Sequence, residues 1–204
     1  MAKESSPRTC TRIRRCEPLY NAFTVIELIV VITLIIVLTG LVLSTVGYAR
    51  KKGARARAET EIAAMSAACE NYKADNGVYP SNDNTNNLDA ITSGNPNSPS
   101  YSLASFYLYT QLSGDSSGNR SPTGKSYMQF KPNMLLPAGG IGTVAAIADP
   151  FGNSYGYSTA YQHDIDLGNP PTHGHNPGFD VWTTCSLVNS PPTAADQNQW
   201  IKNW

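Results

Sequence analysis

Glu27 is the residue whose setting most demands a chemical explanation. It lies in the run Asn21-Ala22-Phe23-Thr24-Val25-Ile26-Glu27-Leu28, and no further charged residue follows until Arg50. A carboxylate costs about 2.5–3.5 kcal/mol at the centre of a bilayer and less near its surface. It must therefore find a partner, or stay at headgroup level with the help of a helix N-terminus. On the residues alone both readings stay open. Other chemistry-bearing groups are sparse. His163, His173 and His175 lie near Asp164 and Asp166, but His-Gly-His in a Pro/Gly-rich loop has no metal-ligand spacing. The three histidines read as solvent-exposed loop polars. No nucleophile elbow, phosphate loop, HExxH or CxxC pattern occurs, so an enzyme is not expected.

The element that must position Glu27 is apolar. Residues 28–49 carry no charge, and Leu28 to Leu38 are apolar except at Thr33. A helix of that length is roughly 33 Å long, against about 30 Å of bilayer hydrocarbon. Such a stripe-free helix belongs in lipid or in a bundle core. A cleaved secretory signal would have a shorter apolar stretch and a small-x-small site after it. Here the stretch runs on to Tyr48-Ala49-Arg50-Lys51-Lys52, so an anchor is expected.

Charge is distributed in blocks. Residues 1–22 hold five basic groups against two acids, residues 50–57 hold five basic groups and no acid, and residues 58–204 hold five basic groups against twelve acids. The 204-residue chain is formally neutral and only 15% charged, below the roughly 25% that is usual. A whole-chain basic field for nucleic acid is excluded, and nucleic acid is not an expected partner. The basic run 50–57 reads as a membrane-facing patch for anionic headgroups or acidic neighbour subunits. A short basic leader and an acidic bulk favour leader inside, bulk outside.

Beyond the membrane run the helix continues. Ala58, Ile62, Met65, Cys69 and Tyr72 recur at spacings of four and three, one helical stripe, with Glu59, Glu61, Glu70 and Lys73 off it. Asn76-Gly77, with Pro80 beyond, predicts the helix end. From Phe23 to Asn76 an unbroken helix would extend roughly 80 Å. Residues 81–102 read as loop and 103–112 as helix. Strands are expected at 126–130, 143–148, 154–160 and 179–184. Cys10 and Cys16 fall in the leader. Cys69 lies on the stripe and Cys185 at the end of the last strand, so the pair forms either a helix-to-sheet disulfide or two buried thiols.

The stretch Ala22-Phe23-Thr24-Val25-Ile26-Glu27-Leu28 resembles the cleavage and methylation motif of type IV pilins and type II secretion pseudopilins. The resemblance implies that a prepilin peptidase cuts between Ala22 and Phe23 and methylates the new N-terminal Phe23. Ala22 stands where the family usually has Gly. The mature chain would be Phe23–Trp204, with Glu27 paired to the α-amino group of the next subunit in a helical homopolymer. Glu70-Asn71-Tyr72-Lys73-Ala74-Asp75-Asn76-Gly77-Val78-Tyr79-Pro80 resembles the helix-ending signature of the major pseudopilin. Asp149-Pro150-Phe151-Gly152-Asn153 resembles its turn before a strand, and Phe179-Asp180-Val181-Trp182-Thr183-Thr184 its last strand. Ser44 stands where pilins often carry Pro, with Gly40 and Gly47 nearby. Major pseudopilins bind a calcium ion in a C-terminal loop. The matching candidates are Asp180, Asn189 and Asp196, a thin set against the six to eight oxygens calcium takes.

The expected fold is α+β and pilin-like: a long N-terminal transmembrane and spine helix packed on a small antiparallel sheet. The expected segments are a cleaved leader at 1–22, the transmembrane half of the helix at 23–49, its extracytoplasmic half at 50–80, and a globular head at 81–204. The resemblance implies a structural subunit of a type II secretion pseudopilus that supports protein export. It would be a single-pass protein of the bacterial inner membrane, with its head in the periplasm. Implied partners are further copies of itself, the prepilin peptidase, minor pseudopilins, the inner-membrane assembly platform and membrane lipid. The alternatives are a type IV pilin for adhesion, motility or DNA uptake, and a signal-anchored extracytoplasmic binding domain that never polymerises.

Overall fold

The computed structural model describes residues 23–204; the leader expected over 1–22, with Ala22, Cys10 and Cys16, lies outside them. The chain divides into two compact units between Val46 and Gly47. Helix α1, Val25–Asn76, contributes to both. In the first unit every residue from Phe23 to Leu43 is exposed. Thr33 and Thr39 return their hydroxyls to the carbonyls of Ile29 and Ile35, at 2.8 and 2.7 Å, so neither leaves a polar group bare on the apolar surface.

The second unit is built on the rest of α1. Ala58, Ile62, Met65 and Cys69 of the expected stripe are buried, and Tyr72 packs half-buried beside them. They share one core with Leu108, Tyr109 and Leu112 and with Tyr155, Tyr157 and Val181. Each large apolar side chain buried there contributes about 1.5–3 kcal/mol. The helix stops where the sequence predicts. Gly77 takes φ +80°, a left-handed conformation that glycine adopts freely, and its N–H bonds the Lys73 carbonyl at 2.7 Å.

After α2 (Asp83–Asn86), α3 spans Pro99–Ser113, starting four residues earlier than its apolar spacing suggests because Pro99 opens its first turn. Strands β1 (Leu135–Leu136) and β2 (Ala146–Ile147) form an antiparallel pair. Strands β3 (Gly156–Ser158), β4 (Asp180–Thr183) and β5 (Ile201–Lys202) form a three-stranded antiparallel sheet in that order. Helix α4 (Ala160–Asp166) follows β3, and the short α5 (Ala194–Gln197) precedes β5. The fold is therefore α+β and pilin-like, a long N-terminal helix with small antiparallel sheets.

Several expectations change: residues 81–102, read as loop, hold α2 and the first turn of α3. Residues 126–130 are not a strand: the N–H groups of Tyr127 and Met128 both donate to the Leu112 carbonyl at the end of α3, which leaves no ladder to form. Glu61 is buried rather than facing out. Its carboxylate takes hydrogen bonds from Arg57 Nε at 2.6 Å and from the Tyr155 hydroxyl at 2.8 Å.

The 149–153 segment is the turn expected. Asp149 is buried and its Oδ1 accepts the N–H groups of Phe151 and Asn153 at 2.9 and 2.8 Å, while Oδ2 accepts the Thr183 hydroxyl of β4. One carboxylate thus shapes the turn and fastens it to the sheet. Asp149→Ala leaves three donors without their acceptor and is expected to cost about 1–3 kcal/mol. Asp149→Asn keeps an acceptor for the two N–H groups and is expected to cost less. Thermal unfolding of the two variants checks the order.

Candidate functional site

The Glu27 region is a helix start. Thr24 precedes α1, and its Oγ1 accepts the Glu27 N–H at 3.3 Å while its hydroxyl donates to Glu27 Oε2 at 3.4 Å. The threonine oxygen thereby satisfies one of the donors left over at any helix N-terminus. Glu27 supplies negative charge to that positive end. No cation lies within ion-pair distance of it among the described residues. Around it the apolar side chains are bare, from Val31 at 46% exposed to Val25 at 75%. Phe23, the expected methylated residue, is exposed at the same end. Helix α1 is long and apolar enough to cross a membrane. The arrangement offers an unpaired carboxylate on an apolar cylinder, fit for lipid, for like helices, or for both.

The basic run 50–57 divides its labour. Arg50, Lys51 and Lys52 are exposed and remain available to an anionic surface. Arg55 and Arg57 are used inside the second unit. Arg55 Nη1 bonds the Gln199 carbonyl at 2.9 Å and approaches Cys185 Sγ at 3.4 Å, bracing the C-terminal segment against α1. Arg57 pairs with Glu61. The patch read from sequence as one for headgroups or acidic neighbour subunits is thus part structural.

Cys69 and Cys185 are free thiols. Cys185 sits against Arg55, fourteen residues and roughly 21 Å of helix from Cys69. That separation is far beyond the reach of a disulfide. The alternative of two thiols holds, with Cys69 buried and Cys185 half-buried. Burial pushes both thiols above their ordinary pKa, so neither is an activated nucleophile.

The calcium candidates do not form a ligand set. Asp180 is buried on β4 and its carboxylate accepts the N–H groups of His175 and Asn176 at 2.7 and 2.9 Å. Asp196 is committed elsewhere, to the Thr193 N–H and hydroxyl and to Asn189 Nδ2 at 2.9, 2.7 and 3.0 Å. Asn189 and Asp196 therefore meet each other and close the α5 cap. No cluster of three His, Cys, Asp or Glu side chains suited to a metal occurs among the described residues. The donor set does not fit a calcium ion.

The histidine loop is more organised than an exposed polar loop. Three carboxylates hold it by backbone N–H groups: Asp164 takes Thr172 and His173, Asp89 takes Gly174, and Asp180 takes His175 and Asn176. His173 stays exposed and pairs with Asp164 at 2.9 Å. His175 stacks on Trp204, ring centroids 4.4 Å apart at 13°. Sequence reasoning missed this because Trp204 lies far along the chain. Burial holds the His175 imidazole below its ordinary pKa, outweighing the nearby Asp180 and Asp89 carboxylates that raise it, while Lys202 adds to the lowering. The folded chain thus prefers this ring neutral. As pH falls below about 6.5, the unfolded chain takes up the proton first and stability is lost. Between pH 7 and 5, the melting temperature of the wild type is expected to fall more than that of His175→Phe, which keeps the stack without the titration.

Compared with family models, curated proteins and solved structures, the chain matches none.

Proposed function

We propose that this chain is a structural subunit of a type II secretion pseudopilus. It is made as a precursor, cut after Ala22, methylated on Phe23, held in the inner membrane by the apolar half of α1 with its head in the periplasm, and then drawn into a helical fibre that supports protein export. The observation that carries the reading is the start of α1: a wholly exposed apolar helix with one acid in its first turn and no cation beside it. A newly exposed α-amino group on Phe23 of a neighbouring copy is the partner that fits. In an apolar setting either charge alone is costly, so pairing them sets one subunit against the next. The pilin-like layout supports this role and is shared by type IV pilins. Complementation of a secretion deletion against a twitching deletion separates the two.

Mass spectrometry of the mature N-terminus tests the reading. The expected species begins at a methylated Phe23. A chain retaining residues 1–22, or cut after residue 45, overturns it.

A further inference from the structure

Arg50, Lys51 and Lys52 are exposed on α1 and take part in no ion pair among the described residues. The two other cations of the basic run are engaged inside the head, Arg55 on the Gln199 carbonyl and Arg57 on Glu61. No Asp or Glu occurs between Leu28 and Ala58, so α1 offers the three free charges no carboxylate within a turn.

Helix geometry decides what they can meet together. Successive residues step about 100° around the axis and about 1.5 Å along it. The three Cα atoms therefore lie in a layer about 3 Å thick but cover about 200° of arc. Lys51 is one turn from Arg55 and shares its side of the helix, while Arg50 and Lys52 stand about 100° to either hand. A flat protein surface laid against one side of α1 cannot meet all three. A ring of lipid headgroups around the helix can, at a single depth, within the roughly 5–7 Å headgroup layer on one side of a bilayer. Tyr48, 73% exposed, precedes Lys52 by one turn. A tyrosine beside an apolar span favours that same headgroup level.

We propose that Arg50, Lys51 and Lys52 form a cationic collar that binds the phosphates of anionic phospholipids in preference to zwitterionic ones. Their apolar stems lie along the helix while the charged heads reach outward to phosphate. A zwitterionic headgroup brings its own ammonium to compete for its phosphate, and phosphatidylglycerol brings none. Basic residues beside a membrane are drawn to an anionic leaflet, and the attraction is screened by salt. The collar needs α1 to be a membrane anchor, the reading proposed above, but neither cleavage nor fibre formation.

Native mass spectrometry of the full chain tests this, with the chain released from nonionic-detergent micelles that contain equimolar phosphatidylglycerol and phosphatidylcholine of matched acyl chains. Bound phosphatidylglycerol is expected to exceed bound phosphatidylcholine by about fivefold or more at low salt, and by less as salt rises. Arg50→Gln, Lys51→Gln and Lys52→Gln together should bring the ratio close to that of the micelle. Arg50→Lys, Lys51→Arg and Lys52→Arg together should preserve it, as should Lys73→Gln with Lys131→Gln, which removes charge from the head instead. Equal retention of the two lipids by the wild type, an unchanged preference in the triple glutamine variant, or its loss in the head variant overturns the proposal. A triple glutamine variant that keeps the lipid preference but loses fibres assigns the cations to a neighbour's acids, and overturns it too. A wild-type chain that floats with vesicles of neither lipid removes the anchor itself and the collar with it. A chain that prefers phosphatidylglycerol but never polymerises supports the collar and removes the fibre. The comparison of the two lipids on the wild type needs no variant, so it decides the question even if the triple glutamine variant fails to fold.

Discussion

Glu27→Ala is expected to leave the chain cut, inserted and folded, and to lower the yield of sheared fibres at least tenfold. Among the described residues its hydrogen bonds are to Thr24 at the start of α1, so the head is expected to keep its stability. The Thr24 oxygen still caps the helix through the backbone N–H at position 27, so α1 keeps its start. What is lost is the partner for a neighbour's terminal amine. In an apolar fibre core that amine then stands alone, and the cost recurs at every joint. A factor of ten corresponds to about 1.4 kcal/mol, well below the several kcal/mol that an unpaired charge costs after relaxation. Glu27→Gln removes the charge but keeps polarity and size, and is expected to fail in the same way. Membrane fractionation and N-terminal mass spectrometry confirm that processing and insertion persist. A normal fibre yield from Glu27→Ala removes the main support for a polymer. It leaves a head anchored by one helix, the reading in which lipid alone covers the apolar side chains.

The parts of this fold legible in the sequence are those fixed by local rules. The stripe from Ala58 to Cys69 is buried because helical spacing alone puts those residues on one face. The stop at Gly77 and the Asp149 turn follow from residues that act within four or five positions of themselves. The parts that were not legible depend on distant partners. Nothing near Glu61 announces that Tyr155 will reach it from β3's approach, 94 residues on. Strands β1 and β5 are two residues long, too short for alternation to register. Helix α4 carries few apolar residues, and Thr159 before it is fixed by hydrogen bonds to Thr85 and Asn86 rather than by its own pattern. The Glu27 site was legible because its demand is local, a charge beside an apolar run.

Gly156→Ala is the single methyl group expected to do most damage to the head. Gly156 lies on β3 opposite Trp182 of β4, and a Cβ there would stand 2.3–2.7 Å from three atoms of the indole. Replacing a strand glycine by alanine would ordinarily help, by about 0.5–1 kcal/mol, because the unfolded chain loses freedom. Here the steric effect wins, since the indole cannot retreat. Trp182 is fully buried, donates from Nε1 to the Tyr101 hydroxyl at 2.8 Å, and stacks on Trp200 at 6.3 Å and 13°. Moving it breaks that bond and opens the second apolar cluster, formed with Leu88, Ala90, Tyr101 and Ala104. Overpacking of this kind costs about 1–3 kcal/mol, a fall in melting temperature of roughly 3–10 °C for a chain this long. Trp182→Leu alone leaves a cavity and is also destabilising. The two changes relieve each other, so the double variant is expected to be at least about 1 kcal/mol more stable than their sum. Strict additivity in that cycle would mean that the indole does not rest on Gly156, and the register of β3 against β4 would have to be redrawn.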